Sequence, residues 1–211
     1  MPGIANNTIA ELQNRIARFD QSYVDDWNNW LNTPLQDRTE QLGIILRRWQ
    51  ACRPNRMRRT INENMHAAPF LDDLVQDATP HIQKLHDFDL RFNNSFTSNT
   101  VNALNELWKI FENLSYHGRA RDGKAGVVGI SKAVLLLSDG RVGPAFDSKV
   151  KHHLSFNNIN KCSQWIEALR VVCGDIHAFE KANQTTIALS VPKFAHLNTG
   201  RIYDMALGPG N

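Results

Sequence analysis

Three cysteines in 211 residues, Cys52, Cys162 and Cys173, are too few and too widely spread to staple a fold. Their odd number prevents complete pairing within the chain, and no Cys-x-x-Cys spacing or four-thiolate set occurs, which excludes a structural zinc site or an iron–sulfur cluster of the usual kind. Buried free thiols are expected. Long apolar runs are also missing: stretches such as residues 133–137 fall far short of the roughly 20 residues that a membrane-spanning helix requires. The opening Met1-Pro2-Gly3-Ile4 lacks the charged-then-apolar pattern of a secretory signal, so a cytoplasmic location is expected. No Gly-Lys-Ser/Thr phosphate loop, nucleophile elbow or dinucleotide fingerprint occurs, and no cofactor is expected.

What is present is the composition of an ordinary folded protein, 42% hydrophobic and 21% charged, with enough apolar side chains for a real core. The net charge is only +3, but it is unevenly spread. Residues 37–60 hold seven Arg and Lys against two acidic residues, and residues 118–153 hold seven against three, so the remainder is acidic. Two basic segments suit a polyanion such as double-stranded DNA if folding brings them onto one face, because cations that neutralise phosphates release counterions. Two solvated, Arg-rich helix faces are the alternative.

Apolar residues at three- and four-residue spacing mark helices along most of the chain. Thr8 and Glu11 have the spacing of a capping box, and the stripe Ile9, Leu12, Ile16, Phe19, Tyr23, Trp27 and Trp30 predicts one long helix closing near Thr33-Pro34. Asp37 with Glu40 opens a second helix on Leu42, Ile45, Leu46 and Trp49, with a break at Arg53-Pro54. Pro69 fits a helix start, and Pro80 a start or kink before Ile82, Leu85 and Phe88. Residues 93–100 read as a loop with Ser98 and Asn99 as caps, leading into a helix on Val101, Leu104, Leu107, Trp108, Phe111 and Leu114. Separate helices are expected at 162–173 and 178–184, an extended piece at 188–192 and a final helical turn at 200–207. The expected fold is all-α, in two helical lobes, 1–95 and 96–211, or one compact domain. All five tryptophans fall on apolar stripes and so belong to the core; Trp49 stands out because Arg47, Arg48 and Arg53 surround it.

Residues 126–154 follow a different logic. Gly126-Val127-Val128-Gly129 precedes the apolar run Ile130-Ser131-Lys132-Ala133 to Leu137, and glycines ahead of a helix expose backbone N–H groups at its positive end, a setting suited to phosphate. Ser138-Asp139-Gly140 and Gly143-Pro144 then turn the chain, and Asp147 is placed to cap a short helix that carries Lys149 and Lys151.

At these residues the chain resembles the helix-hairpin-helix superfamily of DNA glycosylases, in which a Gly-rich hairpin and an apolar helix lead to a catalytic Asp at the start of the next helix. In the runs 131–137, 144–150 and the closing Arg201-Ile202-Tyr203-Asp204-Met205-Ala206-Leu207 it is also similar to a bacterial family whose activity is unassigned. The resemblance implies a helix-hairpin-helix element in the C-terminal half and base excision on DNA. It implies that Asp147 is the catalytic carboxylate, stabilising positive charge on the sugar of a flipped-out nucleotide. Lys132 stands one residue from the place of the nucleophilic lysine of the lyase branch. Implied DNA contacts are Gly126, Gly129, Ser131, Lys132, Lys149 and Lys151, joined by the arginine cluster Arg47, Arg48, Arg53, Arg56, Arg58 and Arg59. A glycosylase-like scaffold without catalysis, acting as a binding or regulatory module, is the second expectation. His81, His86 and Asp87, with Asp89 and His66 nearby in sequence, offer the chemistry of a metal-dependent phosphohydrolase, although five residues between His81 and His86 splay them on a helix.

Overall fold

A computed structural model of the chain describes residues 3–52, 71–115 and 123–210. The periodic stripes become helices: 67% of the chain is helical, with ten α-helices and no strand among the described residues, an all-α fold. In order they are α1 (Ile9–Arg18), α2 (Gln21–Asn32), α3 (Arg38–Arg48), α4 (Leu71–Gln83), α5 (Ser98–Glu112), α6 (Val127–Leu137), α7 (Ser148–His153), α8 (Cys162–Asn183), α9 (Ile187–Ser190) and α10 (Thr199–Leu207).

Several boundaries differ from those the stripes predict, each for a local reason. The long first helix is two. Phe19 leaves helical geometry at ψ 137° to enter the core, and Asp20 accepts from the Ser22 N–H and starts α2. The Thr8–Glu11 capping box forms as expected. Asp37 makes no side-chain cap, because a 3-10 turn over Leu35–Asp37 runs directly into α3. Pro80 lies inside α4, where Thr79 donates to the Val75 carbonyl, and does not end the helix. The helices expected at 162–173 and 178–184 are one, and residues 187–190 are helical rather than extended. Thr97, rather than Ser98 or Asn99, caps α5 through the Thr100 N–H. Pro69 and the Arg53-Pro54 break lie outside the described residues.

One hydrophobic cluster extends from Ile4 to Leu207 and includes all five tryptophans, none more than 5% exposed. It crosses the expected boundary at residue 95: α1 packs on α10 and α3 on α6. Asp175, inside α8, turns inward and accepts from the Ile4 and Ala5 N–H groups and from the Tyr203 hydroxyl at 2.6 Å, which explains why Gly174-Asp175 does not interrupt the helix. The start of the chain, α8 and α10 are thus tied at one buried carboxylate.

Helices α3, α6 and α7 share one ending. After each, a residue in left-handed geometry (Gln50, Asp139, Ser155) lets the next N–H reach back five residues: Ala51 to Leu46 at 2.9 Å, Gly140 to Leu135 at 2.8 Å and Phe156 to Lys151 at 2.8 Å. This is the Schellman arrangement, and it turns the chain sharply while satisfying late carbonyls. Gly140 and Gly200 then allow the α6–α7 connection to lie against the start of α10. A Cβ on Gly200 would sit 2.6 Å from the Gly140 carbonyl oxygen.

Candidate functional site

Helix α6 is apolar on nearly every side and is buried almost throughout, so its two polar residues cannot reach bulk water and must find partners inside. Ser131 donates to the Val127 carbonyl at 2.6 Å and accepts from the Phe146 N–H at 2.9 Å, pinning the chain just before Asp147 to α6. Lys132, 4% exposed, donates from Nζ to the Trp49 carbonyl. That carbonyl is at the C-cap of α3, where the Schellman turn directs the negative end of the helix dipole at the ammonium. One turn earlier Gly129 makes the approach possible, since a Cβ there would stand 2.8 Å from the Ala51 carbonyl oxygen.

Burial pushes the Lys132 ammonium below its ordinary pKa, while Asp147, Asp204 and Cys52 partly offset the shift. Asp147 is half-buried and accepts from the Val150 N–H at 2.9 Å, the N-cap expected of it. Tyr23 stacks on Trp49 with ring centroids 5.1 Å apart, and burial followed by the Asp147 charge raises its phenol. Behind them lies a buried ion pair. Arg201 donates to Asp204 at 2.6 Å and to the Tyr23 carbonyl at 2.9 Å, and Asp204 accepts from the Ala145 N–H at 3.0 Å. Burial raises Asp204 above the usual carboxylate range, opposed by Arg201, which remains protonated. An amine of lowered basicity, a carboxylate at a helix start and a phenol are therefore collected around the C-terminal end of α3, a combination that serves nucleophilic or acid–base chemistry.

The other expected contacts divide. Gly126 is exposed and is the N-cap of α6, and Gly129 is inside the helix, so both glycines belong to its first turn. As surface contacts to phosphate, Gly129, Ser131 and Lys132 are corrected: all three are buried, the latter two with internal partners. Lys149 is exposed and Lys151 half-buried on α7. Arg48 pairs with buried Asp26, which also accepts from the Trp49 indole at 3.1 Å. Trp49 is thereby a core residue. Arg47 is half-buried near the end of α3, and Arg53, Arg56, Arg58 and Arg59 lie outside the described residues.

His66 lies outside the described residues, and the rest of the histidine set does not assemble. His81 lies in α4, His86 pairs with exposed Asp87 at 2.8 Å, and Asp89 is occupied by Arg91 at 2.6 Å. No group of three or more metal-binding side chains occurs among the described residues. The thiols are free, and burial raises Cys52 and Cys162 to about 11, too basic to act as nucleophiles near neutrality.

Tyr23, Asp26, Arg201 and Asp204 did not announce themselves as site residues in the sequence. The available signal was an Arg and an Asp three apart on an otherwise apolar closing helix, a spacing that places both on one face. The class the coordinates define is a globular all-α protein with a buried polar cluster. No family model matches the chain, and no curated protein or solved structure is significantly similar to it.

Proposed function

We propose that the chain is a DNA-binding protein related to helix-hairpin-helix base-excision glycosylases, with Asp147 and Lys132 as its reacting pair. The observation that carries this reading is a buried lysine on an apolar helix whose neighbouring Ser131 holds the chain immediately before Asp147, the carboxylate that starts the next helix. Asp147 would stabilise positive charge on the sugar of a flipped-out nucleotide as the bond from C1′ to the base breaks. Lys132, released from the Trp49 carbonyl and deprotonated, would form the new bond to C1′ and then give up a further proton, while the base departs with the electron pair of the broken bond and takes up a proton. Lys149 and the exposed Gly126 start of α6 supply groups suited to backbone phosphates.

A second reading is a glycosylase-like scaffold that binds without catalysis. It is favoured by the Lys132 ammonium being bonded to the Trp49 carbonyl and shielded from solvent. A panel of damaged and undamaged duplexes, assayed for binding, base release and borohydride-trapped adduct, separates the readings. Base release with an adduct lost in Lys132→Met supports the enzyme. Binding without release supports the scaffold, and absence of binding removes both.

A further inference from the structure

Midway along α8, Gly174 weakens the helix without serving its packing, since a Cβ there would meet nothing within 4 Å. Arg170, Gly174 and His177 follow at i, i+4 and i+7 and so share one face of the helix. The missing side chain leaves a notch between a guanidinium and an imidazole. The notch opens into a cavity of about 580 Å³ whose other wall includes Arg91, Phe92 and Asn94. These groups are within reach of a ligand: Phe92 is 51% exposed, Asn94 and His177 are exposed, and Arg170 is half-buried. Arg91 is neutralised by Asp89 at 2.6 Å, whereas Arg170 makes no salt bridge among the described residues. Its guanidinium is nonetheless held in place. Nη1 donates to Asn93 Oδ1 at 2.9 Å, and the guanidinium carbon lies 4.5 Å from the Phe96 ring centroid. A fork fixed in this way, with further N–H groups to donate, suits a phosphate.

We propose that this cavity binds a nucleoside monophosphate, with the phosphate in the Gly174 notch between Arg170 and His177 and the base against Phe92. The volume falls within the roughly 300–1,000 Å³ of sites for small ligands, and an inorganic anion would leave Phe92 unused. A base requires a flat apolar face to stack on and amide groups for its polar edge, which Phe92 and Asn94 supply. The nucleotide can be a free molecule or the phosphorylated end of a single strand, since both present the same groups. The site shares no residue with the Asp147 and Lys132 pair, so it stands whether or not the chain excises bases.

The test is isothermal titration calorimetry of the intact protein with adenosine 5′-monophosphate, adenosine, inorganic phosphate and a 5′-phosphorylated oligo(dA) as probes. The monophosphate is expected to bind saturably, with adenosine and phosphate each at least about ten-fold weaker because each keeps only one of the two anchors. Gly174→Leu fills the notch with a good helix former, so it is expected to weaken the monophosphate at least about ten-fold without lowering Tm. Arg170→Gln is expected to bring the monophosphate down to the affinity of adenosine and to leave adenosine unchanged. Tighter binding of the oligonucleotide, lost in Gly174→Leu, supports the site with a strand end as its source of nucleotide; weaker binding supports it with a free nucleotide. No saturable binding of the monophosphate overturns the proposal. So does equal binding of adenosine or of phosphate, or indifference to Gly174→Leu.

Discussion

Lys132 is in a position where an apolar side chain of similar length would fit with less desolvation cost. Replacing a buried charge by a well-packed apolar residue is often neutral or stabilising. Lys132→Met is therefore expected to leave the fold intact and to raise stability by about 0–2 kcal/mol at neutral pH, measured by denaturant unfolding. The pH dependence provides a sharper check. Because the folded pKa is depressed below its ordinary 10.5, the unfolded chain holds a proton that the folded chain has released across the interval between the two values. Wild-type stability should thus rise with pH through that alkaline interval, while below it the desolvation penalty is fully present. Lys132→Met should lack this rise, and an identical slope in both proteins would show that the buried ammonium is not perturbed. Asp147 separates capping from chemistry. Asn caps a helix as well as Asp, so Asp147→Asn should keep Tm within experimental scatter and, if the proposed base excision holds, abolish it. Asp147→Ala should cost about 1 kcal/mol of stability. Loss of folding in Asp147→Asn would instead make the carboxylate a structural requirement.

At the scale of elements, close approach of α6 to the end of α3 sets the geometry of the lysine. Gly129→Ala would drive a Cβ to within 2.8 Å of the Ala51 carbonyl oxygen and should cost about 1–3 kcal/mol, with α6 displaced from Trp49. Gly174→Ala, also in a helix but with nothing near the new methyl, should stabilise by about 0.5–1 kcal/mol. If the two substitutions gave the same sign by thermal unfolding, the packing account of Gly129 would fail. Elements differ in how far the sequence alone reveals them. Stripe spacing located α3, α5 and most of α1, α2 and α8, because burial of one face is a local pattern. Features that depend on distant partners were hidden: no local pattern marks Asp175 as a buried side chain, because its bonds go to Ile4, Ala5 and Tyr203, far away in sequence. Asp147 as a cap was visible because Asp before an apolar position is a short-range signal. The burial of Lys132 was not, since its ammonium depends on α3, some 80 residues away, presenting a bare carbonyl.

At the scale of the molecule, the proposed DNA binding requires cations that are free to leave their own salt bridges. Arg48 is committed to Asp26 although its own side chain is largely exposed, so Arg48→Ala should act mainly on stability. It would leave a buried carboxylate supported, among the described residues, by the Trp49 indole alone, at a cost of about 1–2 kcal/mol after allowance for solvent screening. Lys149 and Lys151 have no comparable acidic partner among the described residues: Asp147, beside them in sequence, is engaged with the Val150 N–H. If α7 tracks a duplex backbone, Lys149→Ala with Lys151→Ala should weaken binding by a similar factor for every sequence. It should also make the slope of log affinity against log salt shallower by about 0.9 for each phosphate that is no longer neutralised. Fluorescence anisotropy with one duplex over a range of salt concentrations measures that slope, and Tm of the double variant confirms that the short helix persists. A slope unchanged in the lysine variant but reduced in Arg48→Ala would place the anion-binding face on α3 rather than α7. An unchanged slope in both would leave neither face against the duplex.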